Sequence, residues 1–202
     1  MSKFFQMFAT PPMMEVEYEG SLDSFKRGSE QLTYRDSFAN SVSTNTYVLK
    51  LPEFKPLEKF FKDAVQNYTA QVLNSDDEIT IQQSWVNLTE RNKHHPKHYH
   101  TNSYLSGVFF IQSNETVAPI IFDSPNTHNF PIRPEPRGEV SNEFINDSYT
   151  CIAKEGTLLL FPSHIPHWVP INPLPEARIS LSFNTFPKIP FGSVENSTRL
   201  TY

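Results

Sequence analysis

The sequence predicts a mainly β protein built as a sandwich or barrel, on three observations. Several short apolar or alternating segments are separated by turn residues, with no regular alternation of strands and helices. Aromatic residues make up 13% of the chain, with 17 Phe, and such residues favour strands. Proline is abundant at 17 residues and glycine is scarce at 6, as expected for short strands joined by conformationally restricted loops.

The first third of the chain is predicted to carry only one regular helix. Residues 1–20 are interpreted as an aromatic start followed by a turn. Residues 20–45 are polar without a clear period, which predicts an irregular segment, and together 1–45 form an N-terminal arm. A short strand is predicted at 47–51. Residues 52–73 then place apolar side chains at i, i+3, i+4 and i+7, which predicts a helix with one buried face lying on a sheet.

The strands are predicted to form a core over residues 78–186, followed by a tail at 187–202. Gly107 lies inside one strand and indicates a bulge or a close backbone approach. Residues 123–147 form a long polar insertion that we expect to border the functional site as a lid or recognition loop. The strands are predicted at residues 79–88, 103–112, 117–122, 149–153, 157–161, 168–171 and 178–186.

Composition restricts the class of protein. A chain of 202 residues is long enough for one domain with a sizeable core. A net charge of −5 argues against a nucleic-acid binder, which should present a basic stripe. The single Cys151 excludes an intrachain disulfide and is compatible with a reducing compartment. No membrane span or signal peptide is predicted, so we expect a cytoplasmic, soluble protein with no membrane partner.

A histidine-rich segment between two predicted strands is the first candidate site. Residues 94–100 hold four of the seven histidines, and neutral imidazole is a good ligand for iron, zinc, nickel or copper. His98 and His100 are two residues apart, so on a strand they share a face. His167, at the end of a later strand, is the best-placed third ligand. The alternative is a solvated polar loop, and solvation is our expectation for His94 and His95.

The second candidate is Arg178 with Ser180, on one face of a strand whose other face is apolar. An arginine on the inner face of a strand is costly unless it is paired, and its planar fork suits a carboxylate. Ser180 can add a hydroxyl hydrogen bond to the same anion. The alternative is an arginine in an ordinary salt bridge on the outer face.

Together these motifs resemble the iron(II)- and 2-oxoglutarate-dependent oxygenases. The nearest likeness is to a bacterial and phage group of that superfamily without an assigned substrate, and it spans about residues 79–186. The opening residues 8–11 also resemble the start of that group. The motifs are His98-x-His100, Ser106-Gly107-Val108-Phe109-Phe110, Phe161-Pro162-Ser163 with His167, and Arg178-Ile179-Ser180.

The resemblance implies a double-stranded β-helix, or cupin-like jelly roll, with helices packed on one side. It implies that His98 is the first iron ligand and His167 the distal one, and that Arg178 with Ser180 holds the distal carboxylate of 2-oxoglutarate. The family's usual second ligand is a carboxylate two residues after the first histidine, and here His100 stands in that position.

Three ligand sets are open at this point. They are a three-His site, a two-His site completed by water, and a shifted frame in which His100 and Asn102 stand in the motif. We prefer His98, His100 and His167. Asp123, at a strand end, is expected to be an ordinary turn residue rather than a ligand. The candidates for the co-substrate pocket, each with core packing as the alternative, are Trp85, Asn87, Tyr104 and Ser106.

The function this implies is a dioxygenase that uses Fe(II), 2-oxoglutarate and dioxygen to hydroxylate an unidentified peptide or small molecule, releasing succinate and CO2. One alternative is a cupin-type enzyme with three histidine ligands and no 2-oxoglutarate. Another is a non-catalytic jelly-roll module. Aromatic residues near both ends could also pair two chains as a homodimer; they are Phe4, Phe5, Phe8, Phe186 and Phe191.

Overall fold

The computed structural model describes residues 12–114, 119–125, 146–193 and 195. Two α-helices, α1 (Asp23–Glu30) and α2 (Lys55–Val72), accompany eleven strands. The strands are β1 (Met14–Glu17), β2 (Tyr34–Ser37), β3 (Asn40–Ser43), β4 (Ile79–Thr89), β5 (His95–His98), β6 (Leu105–Gln112), β7 (Ile120–Asp123), β8 (Ser148–Cys151), β9 (Thr157–Pro162), β10 (His167–Val169) and β11 (Arg178–Pro187).

The strands form two antiparallel sheets, which confirms the predicted mainly β, jelly-roll class. The larger sheet has the order β1-β9-β6-β11-β4-β3-β2, and the smaller has the order β5-β10-β7-β8. Strand β11 lies inside the larger sheet, hydrogen-bonded to β4 on one side and to β6 on the other. No helix in the described ranges is long and apolar enough to cross a membrane.

The larger sheet has two buried faces because its strands are covered on both sides. Alternate residues such as Phe109 and Leu181 belong to the core beneath the helices. Residues one position away, such as Phe110 and Leu159, belong to a second core shared with the smaller sheet. Polar side chains also enter this second layer, and the candidate site is built from them.

Helix α2 confirms the prediction of a helix that covers a sheet. It begins at Lys55, directly after a turn of 3₁₀-helix at Pro52–Phe54, and has a proline in its first turn. Its buried face carries Phe61, whose ring stacks on Phe183 of β11 at 4.8 Å between centroids. The helix therefore seals one side of the larger sheet.

The prediction of an irregular arm over residues 20–45 is wrong. This segment forms α1 and the β2–β3 hairpin, which extends the edge of the larger sheet at β4. Eight residues are too few to show a helical period, and α1 is fixed by the packing of fully buried Phe25 against Phe54 and Phe109. The aromatic residues 4, 5 and 8 lie outside the described residues.

The strand predicted at 47–51 is also wrong. Val48–Lys50 is a turn of 3₁₀-helix whose apolar residues, Val48 and Leu49, are buried in the core under α2. A short apolar run fits either conformation, so the local sequence could not separate them. Most of the 123–147 insertion and half of the 187–202 tail lie outside the described residues, and the predicted role of the insertion stays a prediction.

The remaining strands match their predicted segments to within a few residues, with two omissions, β1 and β5. Strand β7 begins at Ile120 rather than at 117, which is outside the described residues. Strand β5 was missed because it is only four residues long and contains Pro96, which is unusual inside a strand. Its place at the edge of the smaller sheet tolerates the missing N–H donor.

Gly107 confirms the predicted close backbone approach. A Cβ atom added there would lie 2.3 Å from the ring of Phe183, the residue opposite it on β11. That ring is held in place by its stack on Phe61. The sheet and α2 therefore come together around a position with no room for a side chain.

We predict that Gly107→Ala lowers the free energy of unfolding by about 1–3 kcal/mol, the usual cost of overpacking a core. Urea denaturation measures it. The same substitution in a Phe183→Leu background should cost less, because the smaller side chain vacates the space that the added methyl needs. Equal losses in both backgrounds would show that the ring contact is not the cause.

Glu58 on α2 is a buried carboxylate surrounded by cations. Its side chain is 8% exposed, and it accepts hydrogen bonds from Lys50 and Lys62 at 2.9 Å and from Lys55. These three hydrogen bonds lower the pKa of Glu58 from 4.5 to about 2. Because the folded pKa lies below the unfolded one, the ionised carboxylate stabilises the fold above pH 4.5, and this contribution is lost as the pH falls towards 2.

We predict that Glu58→Gln lowers the free energy of unfolding by about 1–2 kcal/mol at pH 7, since three lysines lose their shared anion. The difference from the unaltered protein should shrink between pH 4.5 and pH 2, as measured by denaturant titration at each pH. Asp63→Asn is the matched control: Asp63 is on the same helix but pairs with Lys59 at the surface, 63% exposed. Asp63→Asn should lower the free energy of unfolding only slightly at every pH.

Candidate metal centre

The candidate site is a cavity between the two sheets. The smaller sheet and the residues after β5 contribute imidazoles, and the larger sheet contributes a row of polar and aromatic side chains from β4 and β11. These residues are His95, His98, His100 and His167 on one side, and Trp85, Asn87, Arg178, Ser180 and Ser182 on the other. Two of the predicted clusters, far apart in sequence, therefore meet in one place.

Three histidines come close enough to share a metal ion. One ring nitrogen from each of His98, His100 and His167 lies within 4.8 Å of the others. His98, at the end of β5, is directly opposite His167, at the start of β10. His100 follows β5, where its backbone N–H donates to the carbonyl of Ser163 at 2.9 Å. The pairing of two short strands thus assembles the group.

Hydrogen bonds to backbone carbonyls orient two of these rings. Nδ1 of His98 lies 2.8 Å from the oxygen of Pro96, and Nδ1 of His167 lies 2.9 Å from that of Ile165. A carbonyl only accepts, so each Nδ1 must carry the proton. This fixes the tautomer that leaves Nε2 unprotonated, with its lone pair available to a metal.

Burial keeps the imidazoles neutral. It lowers the pKa of His100 to about 3 and that of His167 to about 4, with the neighbouring histidines adding to the effect, and it also lowers the pKa of His98. Neutral imidazole is the form that binds metals. The donor set therefore fits a divalent transition metal such as iron, zinc, nickel or copper.

Arg178 lines the same cavity and has unused hydrogen-bond donors. It is 4% exposed, and its Nη1 donates to Ser180 Oγ at 3.2 Å. Its Nε and Nη2 are buried without a partner among the described residues. The guanidinium carbon lies 5.1 Å from the centre of the Phe110 ring, and burial lowers its pKa to about 10, so it stays charged at neutral pH. A buried cation with two free donors fits an anionic group, such as a carboxylate.

The predicted co-substrate residues separate into two groups. Asn87 lines the cavity, where its Nδ2 donates to Ser182 Oγ at 2.9 Å and its Oδ1 accepts from Trp85 Nε1 at 3.2 Å. Tyr104 does not line it: the residue precedes β6, and its ring packs on Phe191 at 5.7 Å.

Ser106 is likewise displaced from the described cavity lining. It is buried, but its hydroxyl donates to Asn184 Oδ1 at 2.8 Å and pairs with Ser163 Oγ at 2.8 Å. Its hydrogen bonds are used within the sheet rather than directed to a ligand. The structure therefore brings Trp85 and Asn87 into the cavity lining and leaves Tyr104 and Ser106 out of it.

His95 is the cavity residue that sequence reasoning placed in solvent. It is half-buried, and its ring stacks on that of His98 at 4.4 Å between centroids and 19° between planes. Along a regular strand, residues three apart point to opposite faces. Here the register between β5 and β10 shifts, because the four residues from His95 to His98 oppose only three, from His167 to Val169. This irregularity turns His95 into the cavity.

The remaining candidates lie away from the site. Asp123 forms an ion pair with Lys97 and is adjacent to Phe122, which points inward, so its own side chain faces the outer side of the smaller sheet. Asn102, the ligand required by a shifted frame, is exposed in a turn with φ of 55°. His164 is exposed, as expected for a loop residue.

Comparison with known proteins is consistent with this geometry. The sequence model of a family described as putative 2OG-Fe(II) oxygenase matches residues 83–184, just over half of the chain and the part that holds the whole cavity. No curated protein matches the chain in sequence.

Solved structures share the fold at low identity. HygX from Streptomyces hygroscopicus, with nickel, 2-oxoglutarate and hygromycin B bound, has a TM-score of 0.63 at 13% identity over 89% of this chain and 84% of that one. The epimerase SnoN of nogalamycin biosynthesis has a TM-score of 0.64 at 11% identity, over 87% and 76%. A Pseudomonas putida prolyl-4-hydroxylase has 0.57 at 11%, over 87% and 93%.

We predict that His167→Ala weakens binding of Co(II) or Fe(II) by at least about 100-fold, because removing a ligand should exceed the 10–100-fold loss seen when only a ligand's supporting residue is removed. Anaerobic calorimetric titration measures the affinity. His164→Ala removes a histidine three residues away that is exposed and outside the cavity, and it should leave the affinity unchanged. Equal losses in both variants would mean that the metal binds elsewhere.

Proposed function

Because the chain belongs to the putative 2OG-Fe(II) oxygenase family, we propose that it is an iron(II)- and 2-oxoglutarate-dependent dioxygenase. In this proposal His98, His100 and His167 hold the iron, and Arg178 with Ser180 holds the distal carboxylate of 2-oxoglutarate. One observation carries it: three imidazoles with nitrogens within 4.8 Å of one another share a cavity with a buried arginine, two of whose donors have no partner among the described residues.

The donors on Arg178 support a carboxylate co-substrate in particular. Nε and Nη2 lie on one edge of the guanidinium, the edge that forms paired hydrogen bonds to a planar carboxylate. Nη1 is already used on Ser180 Oγ, which holds the fork in place and leaves the serine proton free to be donated to the same anion. The ring of Phe110 covers one face of the guanidinium.

When bound, the metal and co-substrate would supply oxidative decarboxylation of 2-oxoglutarate to succinate and CO2, coupled to oxidation of the substrate by dioxygen. The contribution of the chain is to position and shield them. The Trp85–Asn87–Ser182 hydrogen bonds fix the polar wall opposite the histidines. The carbonyls of Pro96 and Ile165 keep two imidazoles in the ligating tautomer.

We propose hydroxylation of an unidentified peptide or small molecule as the reaction. The structures with a similar fold include a prolyl-4-hydroxylase and an epimerase, so the fold supports more than one outcome and the substrate decides which. Hydroxylation is the outcome that needs no further group on the protein.

A cupin-type enzyme without 2-oxoglutarate is the second candidate, favoured by one observation. His100 occupies the position where the resembled superfamily has a carboxylate ligand, so the three ligands here are all imidazoles. In such an enzyme the free donors of Arg178 would have no dicarboxylate to bind. The two candidates therefore differ in whether 2-oxoglutarate binds.

We predict that anaerobic addition of Fe(II) and then 2-oxoglutarate produces a visible metal-to-ligand charge-transfer band. Arg178→Ala should weaken 2-oxoglutarate binding by at least about 30-fold while iron still binds, because a buried charge pair loses one partner. Arg178→Lys is the matched control. It keeps the charge but loses the planar fork, so its affinity for 2-oxoglutarate should lie between those of the unaltered protein and Arg178→Ala.

Other results of this titration would favour one of the alternative functions. Iron binding without a band in the unaltered protein would favour the cupin-type enzyme. Binding of neither would leave a non-catalytic jelly-roll module. If the band forms equally well in Arg178→Ala, the co-substrate site is not where we propose it.

A further inference from the structure

The described lining of the cavity contains no acidic side chain. Among the described residues that line it, the ionisable groups are four histidines and Arg178. The carboxylate of Asp123 is on the outer side of the smaller sheet, in an ion pair with Lys97. Within the described lining, no side chain supplies a negative charge to balance a bound cation.

The charge of the loaded site follows from the proposed ligands. A divalent metal held by three neutral imidazoles keeps both of its positive charges, and Arg178 adds one more. The dianion 2-oxoglutarate removes two, which leaves one positive charge in a water-poor cavity. With a carboxylate at position 100, as in the two-His-one-carboxylate site, the same sum would be zero. An unbalanced buried charge is costly, so a further anion should be favoured.

His95 supplies a hydrogen-bond donor suited to such an anion. Its ring lines the cavity and stacks on His98. It forms no hydrogen bond with any described residue, although a neutral imidazole carries one N–H donor and one acceptor. Backbone carbonyls orient the rings of His98 and His167. The His95 ring instead stacks on His98, so its N–H remains available to a ligand.

We propose that the site, once loaded with metal and 2-oxoglutarate, binds one further monovalent anion, with His95 as a donor to it. This rests on the function proposed above and extends it to substrate class. The possible anions share one property: each presents a small group with a single negative charge. It comes either from a carboxylate on the substrate or from an inorganic ion such as chloride.

The test uses the full chain loaded with Co(II) and 2-oxoglutarate under anaerobic conditions, so that no turnover is needed. Azide, acetate and chloride are titrated separately while the visible spectrum of the cobalt is recorded, and retention of 2-oxoglutarate is measured by equilibrium dialysis. We expect saturable spectral changes with the co-substrate retained. Tighter binding of acetate than of chloride assigns the anion to the substrate, and the reverse order assigns it to an inorganic ion.

Two variants make the test specific. His100→Asp supplies the missing negative charge and should weaken azide binding at least about tenfold while Co(II) remains bound. His95→Phe keeps an aromatic ring to stack on His98 but removes the N–H donor, and it should weaken azide binding about fivefold to tenfold with metal and 2-oxoglutarate affinities unchanged. If His100→Asp does not fold, the His95→Phe arm alone decides.

Three results would overturn the inference. They are the absence of any spectral change with azide, displacement of 2-oxoglutarate by azide, and azide affinities that are the same in the unaltered protein and both variants. Failure of the protein to bind Co(II) or 2-oxoglutarate before any azide is added is a different result. It overturns the proposed function, and this inference with it.

Discussion

The two-residue period of strand β11 is the constraint on which the molecule depends. Its odd-numbered side chains, from Ile179 to Phe183, enter the core under α2, and its even-numbered side chains, from Arg178 to Ser182, enter the cavity. A slip of one residue would bury the guanidinium beneath a helix and send phenylalanine into the metal site. Pairing with β4 on one side and β6 on the other fixes this register over the whole site.

The apolar core on one face of the larger sheet supplies the stability that the buried polar groups on the other face cost. Burying Arg178 with two unpaired donors costs stability, and so does a cluster of desolvated imidazoles. These costs are offset by a helix-covered core in which Phe61, Phe109 and Phe183 are fully buried and the ring of Phe61 contacts both of the others. The helix and the site thus lie on opposite faces of one sheet, and the core under the helix stabilises the fold that holds the site.

The smaller sheet does the complementary task of bringing distant histidines together. His98 and His167 are opposite each other on β5 and β10, so a backbone pairing sets their separation, and nearby carbonyls set their tautomers. The irregular register beside them brings in His95 as well. The result is a cavity rich in nitrogen and free of acidic groups in its described lining, whose electrostatics differ from those of a site with a carboxylate ligand.

The sequence by itself determined the features that local pattern encodes. Residue type and spacing predict the alternation around Arg178, the apolar stripe of α2 and the close approach at Gly107. They also led to the choice of His98, His100 and His167 as one group. Tertiary structure decided what pattern leaves ambiguous. Residues 20–45 fold only because a sheet edge and an aromatic core are present to receive them.

The same division holds within the cavity. His95 enters it through a register shift between two strands far apart in the chain. Ser106 stays out of it because Ser163, directly after β9, and Asn184 on β11 take its hydrogen bonds. No local period records either event. Periodicity fixes the face on which a side chain lies, and only the packed neighbours fix whether its polar atoms remain free for a ligand.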